Sequence, residues 1–158
     1  MSHPSIPESE QQTALLLSAE QFDQILDERL PFAQLMGLAV EHFAHDHVLM
    51  RAVYSERFLR PGGTVAGPIM MGLADAAVYA LVLSRIGAVE LAVTTQLSIN
   101  FLRKPAPGDV LARASMLKLG KRLAVGEVVL YSESTGIEHP VAHATATYSI
   151  PPIEQQPS

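Results

Sequence analysis

The sequence predicts an α+β domain in which an antiparallel sheet curls around one long helix, at about residues 67–86. Two observations predict it. The run from Gly67 to Ser84 is apolar on every helical face and holds a single charged side chain, Asp75, which marks a helix enclosed by protein. After it, Leu97, Ile99 and Phe101 alternate with Gln96, Ser98 and Asn100, and three further strand-like segments follow at short, turn-like spacings. Short links make neighbouring strands antiparallel. Such a sheet has one apolar face to cover, and an apolar helix covers it if the sheet curls. One sheet does not enclose a helix that is apolar all round, so a second copy is expected, giving a dimer or a dimer of dimers.

Each element has its own signal. Residues 1–17 and 151–158 are rich in Pro, Ser, Gln and Glu and read as flexible tails around a single domain at 18–150. Ser18 and Gln21 form a capping-box pattern opening a short helix through Phe22, Ile25 and Leu26. A second helical turn from Pro31 to Met36 ends at Gly37. Leu38 to Phe43 and Val48 to Tyr54 read as a hairpin with its turn at His45-Asp46. The loop Arg60-Pro61-Gly62-Gly63-Thr64 leads into the central helix, whose first turn accepts Pro68 because an N–H is not needed there. Gly87 ends that helix. The later strands are Val110 to Leu119, Leu123 to Ser132 and Val141 to Ile150.

Composition narrows the function. The chain has 158 residues, 48% of them hydrophobic, and a net charge of -5, which fits one soluble domain with a substantial core. No basic stripe with interleaved aromatics exists to track phosphates, so nucleic acid is not an expected partner. Cys is absent, which excludes disulfides, thiolate metal sites and cysteine nucleophiles. The N-terminus lacks a basic stretch followed by an apolar core, so the expected location is cytoplasmic. The central helix is short for a membrane span and carries Asp75 near its middle, so it reads as core and no membrane partner is expected.

Asp75 is the residue that demands an explanation. Burying an unpartnered carboxylate costs several kcal/mol, so a chain that keeps one must satisfy it, neutralise it or use it. Tyr79 lies one turn later on the same face, where its hydroxyl could enter a site or be satisfied within the core. Helix N-termini such as that at Gly67 offer free N–H groups and the positive end of the dipole to a developing oxyanion.

Arg60-Pro61-Gly62-Gly63-Thr64-Val65-Ala66-Gly67-Pro68 running into Leu73-Ala74-Asp75, with this order of elements, resembles the hotdog-fold acyl-CoA thioesterases of the phenylacetate-pathway branch. The resemblance spans about residues 35–150. It implies that Asp75 is the catalytic carboxylate, acting as general base or nucleophile, and that the Gly67 N–H polarises the thioester carbonyl. It further implies that Thr94 or Thr95 holds the water or the carboxylate. No metal or redox cofactor is implied, since coenzyme A belongs to the substrate. Three positions depart from the branch: its histidine is Ala66 here, its second glycine is Pro68, and a frequent asparagine is Arg60. The alternative is therefore a non-catalytic hotdog protein that binds an acyl-CoA or a related apolar acid. A hotdog dehydratase or isomerase ranks below both, because no histidine lies around Asp75.

The remaining candidates are substrate contacts. Arg60 could pair with Asp75 or bind an anionic part of the substrate. Arg103, Lys104, Lys118, Lys121 and Arg122 are the cations available for coenzyme A phosphates, and Met70, Met71 and Phe58 are candidate acyl-pocket linings. Glu41, His42, His45, Asp46 and His47 are crowded in sequence, but alternate residues of a hairpin point to opposite faces, so no metal site is expected. No Gly-x-Ser-x-Gly elbow is present for serine-hydrolase chemistry.

Overall fold

The computed structural model describes residues 14–152, so most of the expected tails at 1–17 and 151–158 lies outside the described residues. The inner boundary moves. Leu16 N–H donates to the Ser84 carbonyl at 2.7 Å and Leu17 is buried, so this apolar end is tied to the central helix. Helix α1 (Ala19–Arg29) opens with the capping box: Gln21 N–H donates to Ser18 Oγ at 3.1 Å, and Ser18 N–H donates to Gln21 Oε1 at 2.9 Å. Phe22, Ile25 and Leu26 are its buried face. Helix α2 (Pro31–Leu35) follows directly, and Gly37, at φ 67°, turns the chain into the sheet.

Strands β1 (Leu38–Phe43) and β2 (Val48–Ala52) form the expected hairpin. The loop at 59–65 is more ordered than its turn-rich sequence suggests. Leu59–Arg60 (β3) and Thr64–Val65 (β4) pair as a two-stranded ribbon, and Gly62 and Gly63, at φ 98° and 76°, supply the left-handed turn between them. The central helix α3 (Gly67–Ile86) then runs 20 residues to Gly87. Strands β5 (Val93–Phe101), β6 (Val110–Leu119), β7 (Leu123–Ser132) and β8 (Pro140–Ser149) complete a six-stranded antiparallel sheet in the order β1-β2-β6-β7-β8-β5.

Helix α3 is long and apolar enough to cross a membrane by composition, but it packs on β2, β6 and β7 as the core of this sheet. Leu73, Ala77, Val78, Leu81 and Leu83 are fully buried, and Ala142, Ala144 and Ala146 of β8 keep the sheet close to it. One face of the helix is not fully covered within a single chain, as expected of one sheet around a helix that is apolar all round. Pro68, Met71, Gly72, Asp75, Ala76 and Tyr79, spaced at three and four residues, form a stripe that is exposed or half-buried. The sheet leaves this stripe open and α1 and α2 stand over part of it across a cavity, so Asp75 sits half-buried at the edge of the core.

On the outer face, Arg51 of β2 pairs with Glu41, Asp109 and Glu133, fastening the hairpin to the segments flanking β6 and β7. Arg51 holds the Glu133 carboxyl below its ordinary range. Burial pushes Asp109 up, but the Tyr54 N–H and Arg51 outweigh it, and its carboxyl too is held low. Folded-state values below the unfolded ones stabilise the fold fully above about pH 5, and the gain is lost as pH falls below about 4 through the folded values. Arg51→Met is expected to lower the melting temperature at pH 7 and to flatten its fall in acid. A melting series from pH 7 to 3 with the same slope as wild type would contradict this.

Candidate active site

Asp75 lies on the half-buried stripe of α3, facing the β5–β8 edge of the sheet. Thr94 and Tyr148 are opposite one another in the β5–β8 register, and the pairing slips by one residue between Thr94 and Gln96. Such a bulge leaves Thr95 unpaired and re-aims its neighbours. Thr94 Oγ1 donates to Asp75 Oδ1 at 2.6 Å, and the Tyr148 hydroxyl donates to the same oxygen at 2.7 Å and lies 2.9 Å from the Asp75 carbonyl oxygen. These are lengths of charge-assisted hydrogen bonds. Of the two threonines the sequence offered, Thr94 is the one on Asp75. Thr95 is exposed, and its hydroxyl donates to the Thr147 carbonyl at 3.3 Å.

Burial, reinforced by the Asp75 charge, pushes the Tyr148 phenol well above its ordinary range, so it remains a donor. Tyr79 stacks on Tyr148 with ring centroids 6.0 Å apart and planes at 20°. Its hydroxyl donates to the Glu90 carbonyl at 2.9 Å. Burial and then the Glu90 charge push it up to about 12. Tyr79 thus forms wall, with its polar tip satisfied away from Asp75. Tyr148 is not among the candidates drawn from the sequence, although the inward alternation Ala142, Ala144, Ala146, Tyr148 ends on a residue whose hydroxyl must find a partner inside.

Asp75, Thr94 and Tyr148 border a cavity of about 250 Å³ whose other walls include Leu26, Leu30, Ala33 and Met36. The lead-in helices therefore roof it. Met70 borders a second cleft instead, and Met71 and Phe58 line neither. Met36 lies against Gly72, one turn before Asp75, where a Cβ would collide with its Cε and Sδ. Gly72→Ala is expected to leave the melting temperature nearly unchanged, since alanine favours helix and the methionine end is flexible. The displaced side chain would enter the cavity and raise KM for the larger substrates severalfold. Equal KM values across substrate sizes in this variant would contradict that displacement.

The second cleft, of about 450 Å³, lies at the N-terminal end of α3 and is lined by Arg60, Gly67, Phe101, Arg103 and Lys104. Ala66 is the N-cap and makes no side-chain cap, where Ser, Thr, Asp or Asn would be preferred. The Gly67 N–H has no intrahelical acceptor. Arg60 does not pair with Asp75: it stands on the β3–β4 ribbon beside the helix start, while Asp75 lies about two turns along the helix. A smaller hollow with Ser132, Thr135 and His139 adjoins and shares Arg103 and Lys104.

Two sets of candidate residues lie apart within one chain. Gly67 and Asp75 are eight residues apart on one helix, about 12 Å along its axis, too far to act on a single carbonyl. Lys121 and Arg122 are exposed in the β6–β7 turn, beside the start of β5 through the pairs Leu123–Ser149 and Val93–Ser149. Arg103 and Lys104 follow the end of β5, roughly 26 Å away at the rise of a strand. Lys118 lies on β6, close to the same turn as Lys121. Among the described residues, no three His, Asp or Glu side chains converge as metal ligands.

A six-stranded antiparallel sheet around one long helix is the arrangement of the hotdog-fold thioesterases. The Thioesterase superfamily pattern matches residues 62–138. A crystal structure of a "putative thioesterase" from Silicibacter sp. TM1040 is 48% identical, covering 90% of this chain and 97% of that one with a TM-score of 0.80. A mutant form of phenylacetic acid degradation protein PaaI from Thermus thermophilus is 30% identical over 75% of this chain and 97% of that one, with a TM-score of 0.63. A "putative esterase" of Saccharolobus solfataricus is 24% identical over 77% of this chain and 80% of its own length. The chain belongs to the thioesterase superfamily, as a hotdog thioesterase of the PaaI-like kind.

Proposed function

We propose that the protein hydrolyses an acyl- or aryl-acyl-CoA thioester, with Asp75 as general base. The observation that carries this reading is the Asp75 carboxylate, half-buried beside an apolar cavity, with Oδ1 held by Thr94 and Tyr148. Asp75 takes a proton from water, and the water oxygen attacks the thioester carbonyl carbon. The carbonyl becomes an oxyanion, which collapses and breaks the C–S bond. The proton on Asp75 passes to the leaving sulfur, giving a carboxylic acid and free thiol. The step draws on water and protein groups, and coenzyme A enters only as part of the substrate.

The oxyanion donor in this reading is the uncapped Gly67 N–H of a second copy. β5 is an edge strand, and Val93 and Phe101 at its two ends are 57% and 50% exposed, so an unpaired edge and apolar side chains favour association there. A two-fold pairing in which the central helices run antiparallel brings Gly67 of each copy towards Asp75 of the other. It also brings the cleft with Arg60, Arg103 and Lys104 next to the acyl cavity, where the cations suit coenzyme A phosphates.

The cavity limits the acyl group. An apolar cavity of about 150 Å³ accepts benzene, so about 250 Å³ suits an aryl-acetyl or short to medium acyl chain. Purified protein incubated with a panel from acetyl- to palmitoyl-CoA, phenylacetyl-CoA included, is expected to release thiol fastest with aryl and medium-chain substrates. Equal turnover of palmitoyl-CoA would remove the cavity as acyl pocket. Ala66, in place of the branch's histidine, favours a second reading, a binder of acyl-CoA. That reading is established by saturable calorimetric binding without thiol release.

A further inference from the structure

We propose that Tyr148 is a positioning residue for hydrolysis: with its cross-strand partner Thr94 it fixes Asp75 Oδ1, so that Oδ2 alone faces the water. The inference rests on the reading of Asp75 as general base and adds a residue and an atom to it. Three observations meet here. Tyr148 is 3% exposed, and a buried phenol needs an acceptor. Its acceptors are the side chain and backbone of Asp75. Thr94 donates to the same carboxylate oxygen, while among the described residues no protein donor is placed on Oδ2.

Two donors on one oxygen set both the rotation of the carboxylate and the identity of its free atom. A carboxylate held by one donor can swing about its χ2 axis, and the two oxygens become interchangeable. The geometry is built into the sheet. The bulge at Thr95 aligns Thr94 with Tyr148, and the Tyr79 ring braces Tyr148 from the other side. The raised phenol of Tyr148 keeps its proton throughout the working range, so the donor role does not lapse with pH.

Tyr148→Phe retains the ring and its stacking while removing only the hydroxyl. It is expected to lower kcat roughly tenfold to a hundredfold, the effect of one hydrogen bond to a charged group, with KM changed less than about twofold. Wild-type kcat in this variant would overturn the proposal. So would a fall in kcat matched by equal changes in KM and melting temperature, which is the signature of a structural tyrosine. A second measurement is independent of turnover. In a crystal structure of Tyr148→Phe/Thr94→Val, the Asp75 carboxylate is expected to leave its present orientation, and an unchanged orientation would overturn positioning. Absence of turnover in the wild type, by contrast, removes the hydrolase reading and leaves this structural test to decide the role of Tyr148.

Discussion

Asp75→Asn is expected to reduce kcat about a thousandfold, within the range for losing a general base, while KM stays within about threefold. The substitution is nearly isosteric. Its Oδ1 still accepts from the Thr94 and Tyr148 hydroxyls, which now donate at 2.6 and 2.7 Å to the carboxylate, so the site keeps its shape. What is lost is the proton acceptor: the amide nitrogen in the place of Oδ2 takes no proton from water. Melting temperature should hold or rise slightly, because a half-buried charge has been removed from the edge of the core. Thiol release at saturating substrate, read beside a thermal melt, checks both expectations. Retention of wild-type kcat would mean that water is activated elsewhere.

Much of this fold was legible in the sequence because local and global signals agree. The capping box at Ser18 and Gln21, the glycine ending α3 and the bounds of β6 and β7 all follow from residues within one or two turns of the feature. The acid of α3 was legible for the same reason, as one charge in an apolar run. Its surroundings were not. Tyr148 lies 73 residues from Asp75, and only the order β7-β8-β5 and the slip after Thr94 place it there. Periodicity assigns Tyr148 to the inner face without saying which helical turn it meets.

The same limit applies to the cations and to the half-covered stripe. Arg103-Lys104 and Lys121-Arg122 are equally basic in sequence, yet the antiparallel register sends them to opposite ends of β5. Hydrophobicity alone described α3 as apolar on every face, without saying which face the sheet would leave open. Coverage depends on the breadth of the sheet and on where α1 and α2 dock, and these leave the face that carries Asp75 half-buried beside a cavity. The proposed role of Asp75 needs that opening, since a fully enclosed carboxylate meets neither water nor substrate.

Mixing two inactive variants is expected to restore activity, and this outcome tests whether the site spans two copies. Gly67→Pro removes the proposed oxyanion donor with little disturbance. Proline is favoured at the first helical position, and the preceding Ala66, at φ -65° and ψ 144°, already has the extended backbone that proline imposes on its predecessor. The lost N–H has no intrahelical acceptor, so no helix hydrogen bond goes with it. Removing an oxyanion donor should lower kcat about a hundredfold to a thousandfold. Asp75→Asn chains retain Gly67, and Gly67→Pro chains retain Asp75. When the two are unfolded together and refolded in equal amounts, half of the dimers combine them, and each such dimer holds one intact site made from Gly67 of one chain and Asp75 of the other. Activity should return to about a quarter of wild type, as two-fold symmetry requires. If both groups acted from the same chain, every chain would lack one of them and the mixture would stay as inactive as its parts. The roughly 12 Å that separates these residues along one helix favours the first result, because one thioester carbonyl cannot reach both within a single copy.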